Sequence, residues 1–356
     1  MPSPKIYHLK PLMSSDEIEK KEGTYFDEKY VKIIIDHDAD VYGEDPTDPT
    51  KEILLAKFRK NVIPEKLTEL GWEAFHRTAK ESRNRGAAAG PIDLKSPYWK
   101  KRKPVKTSKW MTRYIHNGKV SKANVNNNVY SSVLGYFEKT AFMKVPCRMT
   151  SYTQKYFEEY QMGLPFIEAI SEQFRKLVPD KYKLQYEAIH KSPYYQIRDT
   201  AFSSVTVNRN FRTALHKDAG DFEKGFGNLS VVERGKYHGG YTLFPRYGVG
   251  FNVRTGDFIA MNVHEWHCNT EMYETNEDTE FNKKLENIYQ NHDINTGTMG
   301  ADKRFTRISF VCYFREKLQD CNVKESREYH KKVGIDPEKG FIHKLNKTRK
   351  NTHKDA

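Results

Sequence analysis

A histidine and a carboxylate stand two residues apart in the segment LHKDAGDF, at His216 and Asp218. On an extended strand, residues i and i+2 point to the same side. The pair would therefore offer one imidazole and one carboxylate to a single cavity. A second imidazole is available 46 or 49 residues after Asp218, at His264 or His267 in VHEWHCNT. Two histidines and one carboxylate on one face of an octahedron leave three positions open, the ligand set of non-haem Fe(II) oxygenases. The open positions would take a bidentate 2-oxo acid and then dioxygen. Arg307, in the run TRISFVCYF, can hold the far carboxylate of such a co-substrate. The guanidinium fork suits that task because it matches a carboxylate with two parallel hydrogen bonds.

Such groups need rigid elements to aim them. From residue 200 onward the sequence alternates short β-rich runs with glycine turns. Ala201–Asn208, Leu229–Val232, Tyr241–Phe244, Val249–Val253, Asp257–Val263 and Arg307–Phe314 read as strands, and their spacing predicts a closed or sandwiched antiparallel barrel. Upstream, residues 150–178 read as an amphipathic helix capped by Thr150 or Ser151, with Pro165 in its first turn. Residues 51–80 read as a helix broken by Pro64, and the acidic stretch near residues 36–52 as a solvated loop. The expected class is α+β.

The predicted organisation is an N-terminal extension over 1–149 packing on the core, a catalytic core over 150–316 with an insert at 271–303, and a basic tail over 317–356. That tail reads as a helix followed by a mobile arm.

The chain has 356 residues, 37% hydrophobic and 13% aromatic, enough for a buried core and against wholesale disorder. Its formal charge of +13 favours a polyanionic partner, DNA or RNA. The segment 95–110 interleaves Lys100, Lys101, Arg102 and Lys103 with Tyr98, Trp99 and Trp110. Cations of this kind neutralise phosphates and aromatics stack on bases. Four cysteines with no CxxC pair suggest a reducing compartment rather than a disulfide-stapled chain. No transmembrane helix and no secretory signal are expected. The expected setting is intracellular: the nucleus of a eukaryote, or the host cytoplasm for a viral enzyme. A monomer is expected.

Three pieces, HKD at 216–218, GDFIAMNVHEWHCNT at 256–270 and RISFVCYF at 307–314, resemble the TET/JBP family of 2-oxoglutarate dioxygenases, which hydroxylate the methyl group of pyrimidine bases. Upstream, RKN at 59–61 and NRGAAAG at 84–90 match loosely. The resemblance implies a double-stranded β-helix (jelly-roll) core with N-terminal helical elaborations, and Fe(II) and 2-oxoglutarate as cofactors. It implies His216, Asp218 and His267 as iron ligands, with His264 the rival to His267. It implies Arg307 and Ser309 on the co-substrate, and Asn208 joins them as a candidate cofactor contact.

Some positions depart from the family. The gap from the distal His267 to Arg307 is 40 residues, where a short one is usual. Asp221 replaces an asparagine and Arg315 a base-contacting histidine. Asp221, Phe222, Tyr237, Trp266 and Arg315 are the candidate substrate contacts. The expected reaction is hydroxylation of thymine or 5-methylcytosine in DNA. The rival readings are a hydroxylase of a protein side chain or small molecule, and a nucleic-acid-binding protein with an inactive oxygenase core.

Overall fold

A computed structural model of the chain describes residues 3–100, 102–106, 109–122, 124–139, 145–286, 288 and 297–341. Its centre is one ten-stranded sheet. The strands run, edge to edge, Lys5–Leu9, Ala39–Glu44, Glu52–Arg59, Phe258–Met261, Gly227–Arg234, Thr306–Tyr313, Ser204–Arg209, Val129–Phe137 and Arg148–Met149. The short strand Glu81–Ser82 also pairs with Val129–Phe137. All neighbours are antiparallel except Lys5–Leu9 with Ala39–Glu44. A second sheet of four strands orders Cys268–Asn269, Thr242–Phe244, Val249–Phe251 and Ile33–Ile35.

Side-chain alternation decides what each face of the large sheet meets. On Thr306–Tyr313, Ile308, Phe310 and Cys312 join the core under the helices. Their neighbours Arg307, Ser309, Val311 and Tyr313 must then face the other way. On that other face, Leu55, Leu229, Val231, Ile259 and Met261 pack with Phe244, Val249 and Phe251 of the second sheet. The two sheets therefore sandwich one core, and helices cover the outer face of the larger.

Those helices are Glu65–Phe75, Phe157–Leu177 and Pro179–His190. Two of them approach closely through a reciprocal exchange of glycine and phenylalanine. A Cβ on Gly71 would meet the Phe166 ring at 2.8 Å, and one on Gly163 the Phe75 ring at 2.2 Å. The same Phe166 and Phe75 rings clasp Phe310 of the sheet at 4.9 and 5.8 Å. Truncating Phe310 to alanine would remove a core contact of the kind that costs roughly 3–5 kcal/mol.

Several expectations change here. Residues 51–80 do not form one broken helix: Glu52–Arg59 is a strand and the helix starts at Glu65, after Pro64. The apolar run ILLA is taken by the sheet, whose demand for a strand outweighs local helix propensity. The acidic stretch is strand as well, over Ala39–Glu44, with Asp40 paired to Lys57 and Arg59. Thr150 caps a short helix Ser151–Lys155 as expected, but Pro165 lies inside Phe157–Leu177 rather than in its first turn.

The cysteines also differ from expectation. Cys147 and Cys321 form a disulfide across 174 residues, leaving Cys268 and Cys312 as buried free thiols. The expected C-terminal helix is present at Val323–Lys332, and the arm expected after it lies outside the described residues from 342 onward. Lys101 also lies outside them. Among the described residues, no helix is long and apolar enough to cross a membrane.

Candidate functional site

His216 and His267 are brought side by side by one antiparallel bridge. His216 N–H donates to the His267 carbonyl at 3.1 Å and His267 N–H to that of His216 at 3.0 Å. Two residues on, Asp218 N–H donates to the Val263 carbonyl at 3.1 Å, so the HxD segment lies extended against the chain that leads to His267. The imidazoles lie 4.4 Å apart, centroid to centroid. Asp218 reaches both: Oδ1 is 3.5 Å from His216 Nε2 and Oδ2 is 3.8 Å from His267 Nε2. One ligand atom from each of the three residues falls within 4.8 Å of the others.

The remaining ring nitrogens are already engaged. His216 Nδ1 donates to the Ala214 carbonyl at 2.8 Å and His267 Nδ1 to that of Glu265 at 3.0 Å. Such backbone anchors orient each ring so that its Nε2 turns toward Asp218, where a metal would sit. Burial opposes charge on His216, but the hydrogen bond and charge of Asp218 outweigh it and raise its pKa. Burial also works against the Asp218 carboxylate, yet the two histidines win and lower its pKa to about 2. Burial and the neighbouring His216 push His267 down to about 4. An ionised Asp218 and a neutral His267 are the forms a cation requires of them, and a bound cation would replace the proton that Asp218 favours on His216.

A cavity of about 380 Å3 opens over the triad. Its wall is made by the inner face of the large sheet, through Asn208, Ser309, Val311 and Tyr313, and by Thr242 and Asn269 of the small one. Asn208 and Ser309 are directly paired across the strands. Arg307 stands one step further along the same face, 4% exposed, and does not line the cavity itself.

Opposite Arg307, on the neighbouring strand, is Glu233. That carboxylate is already filled by the Tyr237 hydroxyl, by Arg254 Nη1 at 3.3 Å, and by Thr255 through its N–H at 2.8 Å and its hydroxyl at 3.1 Å. Arg307 Nε and Nη2 are consequently buried with no acceptor, and burial lowers the pKa to about 10. An orphaned buried guanidinium costs several kcal/mol and fits a guest carboxylate that would relieve it.

A family model described as the oxygenase domain of the 2OGFeDO superfamily, Tet_JBP, matches residues 132–316, more than half of the chain. The chain belongs to the Tet_JBP family. Fe(II) and 2-oxoglutarate are the cofactors of that superfamily, and the His216–Asp218–His267 cluster with its orphaned arginine suits both.

Among curated relatives, the thymine dioxygenase JBP1 of Trypanosoma brucei brucei is 34% identical over 206 residues, 57% of this chain and 21% of that protein. The bifunctional helicase and thymine dioxygenase JBP2 of Trypanosoma cruzi is 29% identical over 234 residues, 64% of this chain and 18% of that protein. The chain thus aligns with about a fifth of the length of these relatives. Among solved structures, NgTET1 in complex with 5mC DNA aligns over 93% of this chain and 91% of that one, at 13% identity and a TM-score of 0.48.

The Tet_JBP site sorts the remaining candidates. His264 is outside the cluster, with Nε2 3.2 Å from the Phe222 carbonyl. Asp221 and Arg315 both line the cavity and are paired through their backbones. Arg315 is held by a two-pronged ion pair to Glu138, which raises its pKa although burial opposes the charge. Burial, reinforced by Asp218, raises the Asp221 pKa well above the usual carboxylate range.

The three aromatic candidates lie elsewhere and do not line the cavity. Phe222 packs on Phe314, Tyr237 stacks on Phe305 and bonds Glu233, and Trp266 carries Lys217 at 4.9 Å over its ring. Phe211 and Tyr313 are the aromatics of the wall.

Sequence reading passed over Asn84 and Arg85, which also line the cavity. Arg85 Nε is buried without a partner, and burial lowers its pKa. The loop carrying them is fixed by an asparagine run: Asn126 Oδ1 accepts from Gly86 N–H at 3.0 Å, and Asn127 Nδ2 donates to the Ala89 and Pro91 carbonyls at 2.9 and 2.7 Å. In the sequence, NRGAAAG at 84–90 offered a loose family match. Its contribution of a charged wall to a distant cavity was not legible there.

Proposed function

We propose that this chain hydroxylates the C5-methyl group of a pyrimidine base in DNA, thymine or 5-methylcytosine, on a double-stranded β-helix formed by the two facing sheets. The observation that carries the reading is the convergence of His216, Asp218 and His267 beneath one cavity, with an unpaired Arg307 beside Ser309. When bound, Fe(II) and 2-oxoglutarate would support an oxidation by dioxygen, one oxygen atom going to the oxo acid as it becomes succinate and carbon dioxide and the other turning a C–H into C–OH.

The chain's own groups then have distinct tasks. His216, Asp218 and His267 hold the metal, with both rings oriented by backbone carbonyls. Arg307 and Ser309 receive the distal carboxylate of the oxo acid. Glu233, saturated by its other partners, keeps Arg307 in place without consuming its donors. A base stacked in a duplex cannot reach a buried metal, so the target must be extruded. Phe211 and Tyr313 offer the flipped ring apolar surface, and Asp221 and Arg315 face it with polar groups.

DNA is favoured by the +13 charge and by the thymine dioxygenases among the relatives. The test is nucleoside mass spectrometry of thymine-containing and 5-methylcytosine-containing DNA after incubation with the chain, Fe(II) and 2-oxoglutarate. One added oxygen on either base is expected. Unaltered nucleosides alongside oxidised peptides or free amino acids would transfer the same site to another substrate class.

A further inference from the structure

A second cavity, of about 480 Å3, opens beside the active-site loop and is lined by Glu81, Arg83, Tyr98, Arg102 and Asn128 among others. Its central feature is a pair of arginines on one phenol ring. The guanidinium carbons of Arg83 and Arg102 lie 3.6 and 4.2 Å from the Tyr98 ring centroid, so they are no more than about 8 Å apart. Among the described residues, neither guanidinium makes a close ion pair with a carboxylate, while Arg83 feels the attraction of Glu81 and the repulsion of Arg102. Glu81 lines the same cavity, with Oε1 accepting from the Thr298 hydroxyl at 2.5 Å, and leaves a net positive charge. Two like charges held this close repel one another unless an anion bridges them.

The surroundings favour one class of anion. Residues 94–137 contain ten lysines and arginines and no aspartate or glutamate. Part of this segment forms a separate three-stranded sheet, Lys103–Lys106, Thr112–His116 and Lys119–Val120, with Lys100 and Lys103 exposed next to the arginine pair. Arg83 also stands two residues before Arg85, which lines the active-site cavity. Two residues of chain span at most about 7 Å of backbone, so the chain segment that carries Arg83 also enters the wall of the active-site cavity.

We propose that Arg83 and Arg102, stacked on Tyr98, form a clamp for a backbone phosphate of the nucleic-acid strand that delivers its base to the His216–Asp218–His267 cavity. This rests on the nucleic-acid reading above and deepens it. The tyrosine holds both guanidiniums in orientation by cation–π contact, so little side-chain entropy is lost when phosphate binds. The clamp fixes register and reads no sequence.

The test measures binding of a fluorescein-labelled duplex by anisotropy across a sodium chloride series. It uses the full chain and the variants Arg83→Gln, Arg102→Gln and the double variant. Lys66→Gln, on the helix behind the large sheet, controls for loss of charge as such. Each single replacement is expected to weaken binding several-fold and to reduce the slope of log Kd on log salt by about one, the double variant by about two. Melting temperature and 2-oxoglutarate binding should match the wild type. The single variants give independent readings if the double variant folds poorly. A slope equal to that of the wild type, or to that of Lys66→Gln, overturns the clamp. If the wild type itself neither binds the duplex nor oxidises its bases, the underlying reading fails; if it oxidises them while the variants keep its slope, only the clamp fails.

Discussion

The two candidate distal histidines, three residues apart, differ in a single respect that decides their fate. His267 reaches Asp218, whereas His264 turns to the Phe222 carbonyl. His267→Ala should abolish Fe(II) binding and 2-oxoglutarate turnover, since two protein ligands cannot hold the facial site. His264→Ala should retain metal and lose at most about ten-fold in affinity, an outer-partner effect. Metal content after gel filtration separates them. Retention of iron by the His267 variant would reassign the ligand set.

At the scale of elements, the strand Val129–Phe137 carries a constraint visible only in three dimensions. Gly135 has φ of +81°, and a Cβ there would lie 2.3 Å from the Ser203 carbonyl oxygen. The same stretch accepts Thr150 N–H at 2.9 Å and leads directly to Glu138, the partner of Arg315. Gly135→Ala should therefore destabilise the fold by roughly 2–4 kcal/mol, through both clash and left-handed strain. Thermal unfolding reads it. An unchanged melting temperature would mean the strand can shift away from Ser203.

At the scale of the whole molecule, the helix Val323–Lys332 docks on the sheet edge at Arg148–Met149. His330 lies buried there, accepting from Met149 N–H at 3.0 Å through Nε2 and facing the Tyr194 hydroxyl at 2.7 Å through Nδ1. Burial, aided by Arg148, lowers its pKa from 6.5 to about 4. Between those values the unfolded chain takes up a proton that the folded chain refuses, so stability is complete above pH 6.5 and falls as pH drops toward 4. Taking a sample from pH 7 to pH 5 should remove about 1–2 kcal/mol and several degrees of melting temperature through this group. His330→Gln should lose less over the same interval; an equal loss would place the acid sensitivity elsewhere. The Cys147–Cys321 disulfide ties the start of the same helix to the sheet edge.

The sequence alone marked the chemical types of a candidate metal site and left His264 and His267 both open as its second imidazole. An HxD pair, a later histidine and an RxS pair are chemical types at short spacings, and strand alternation is local enough to aim His216 with Asp218 and Arg307 with Ser309. It also marked most strands after residue 200, because turn glycines and alternation are local signals. Tertiary structure decided what depends on distant partners. The apolar run at 53–56 became a strand because a sheet edge was waiting for it. Cys147 found Cys321 across 174 residues. Phe222, Tyr237 and Trp266, near the ligands in sequence, packed away from the cavity, while Arg85, more than a hundred residues before the HxD pair, became part of its wall. Proximity along the chain fixes direction over a few residues. Proximity in space is set by which buried surfaces and hydrogen bonds the whole fold must satisfy.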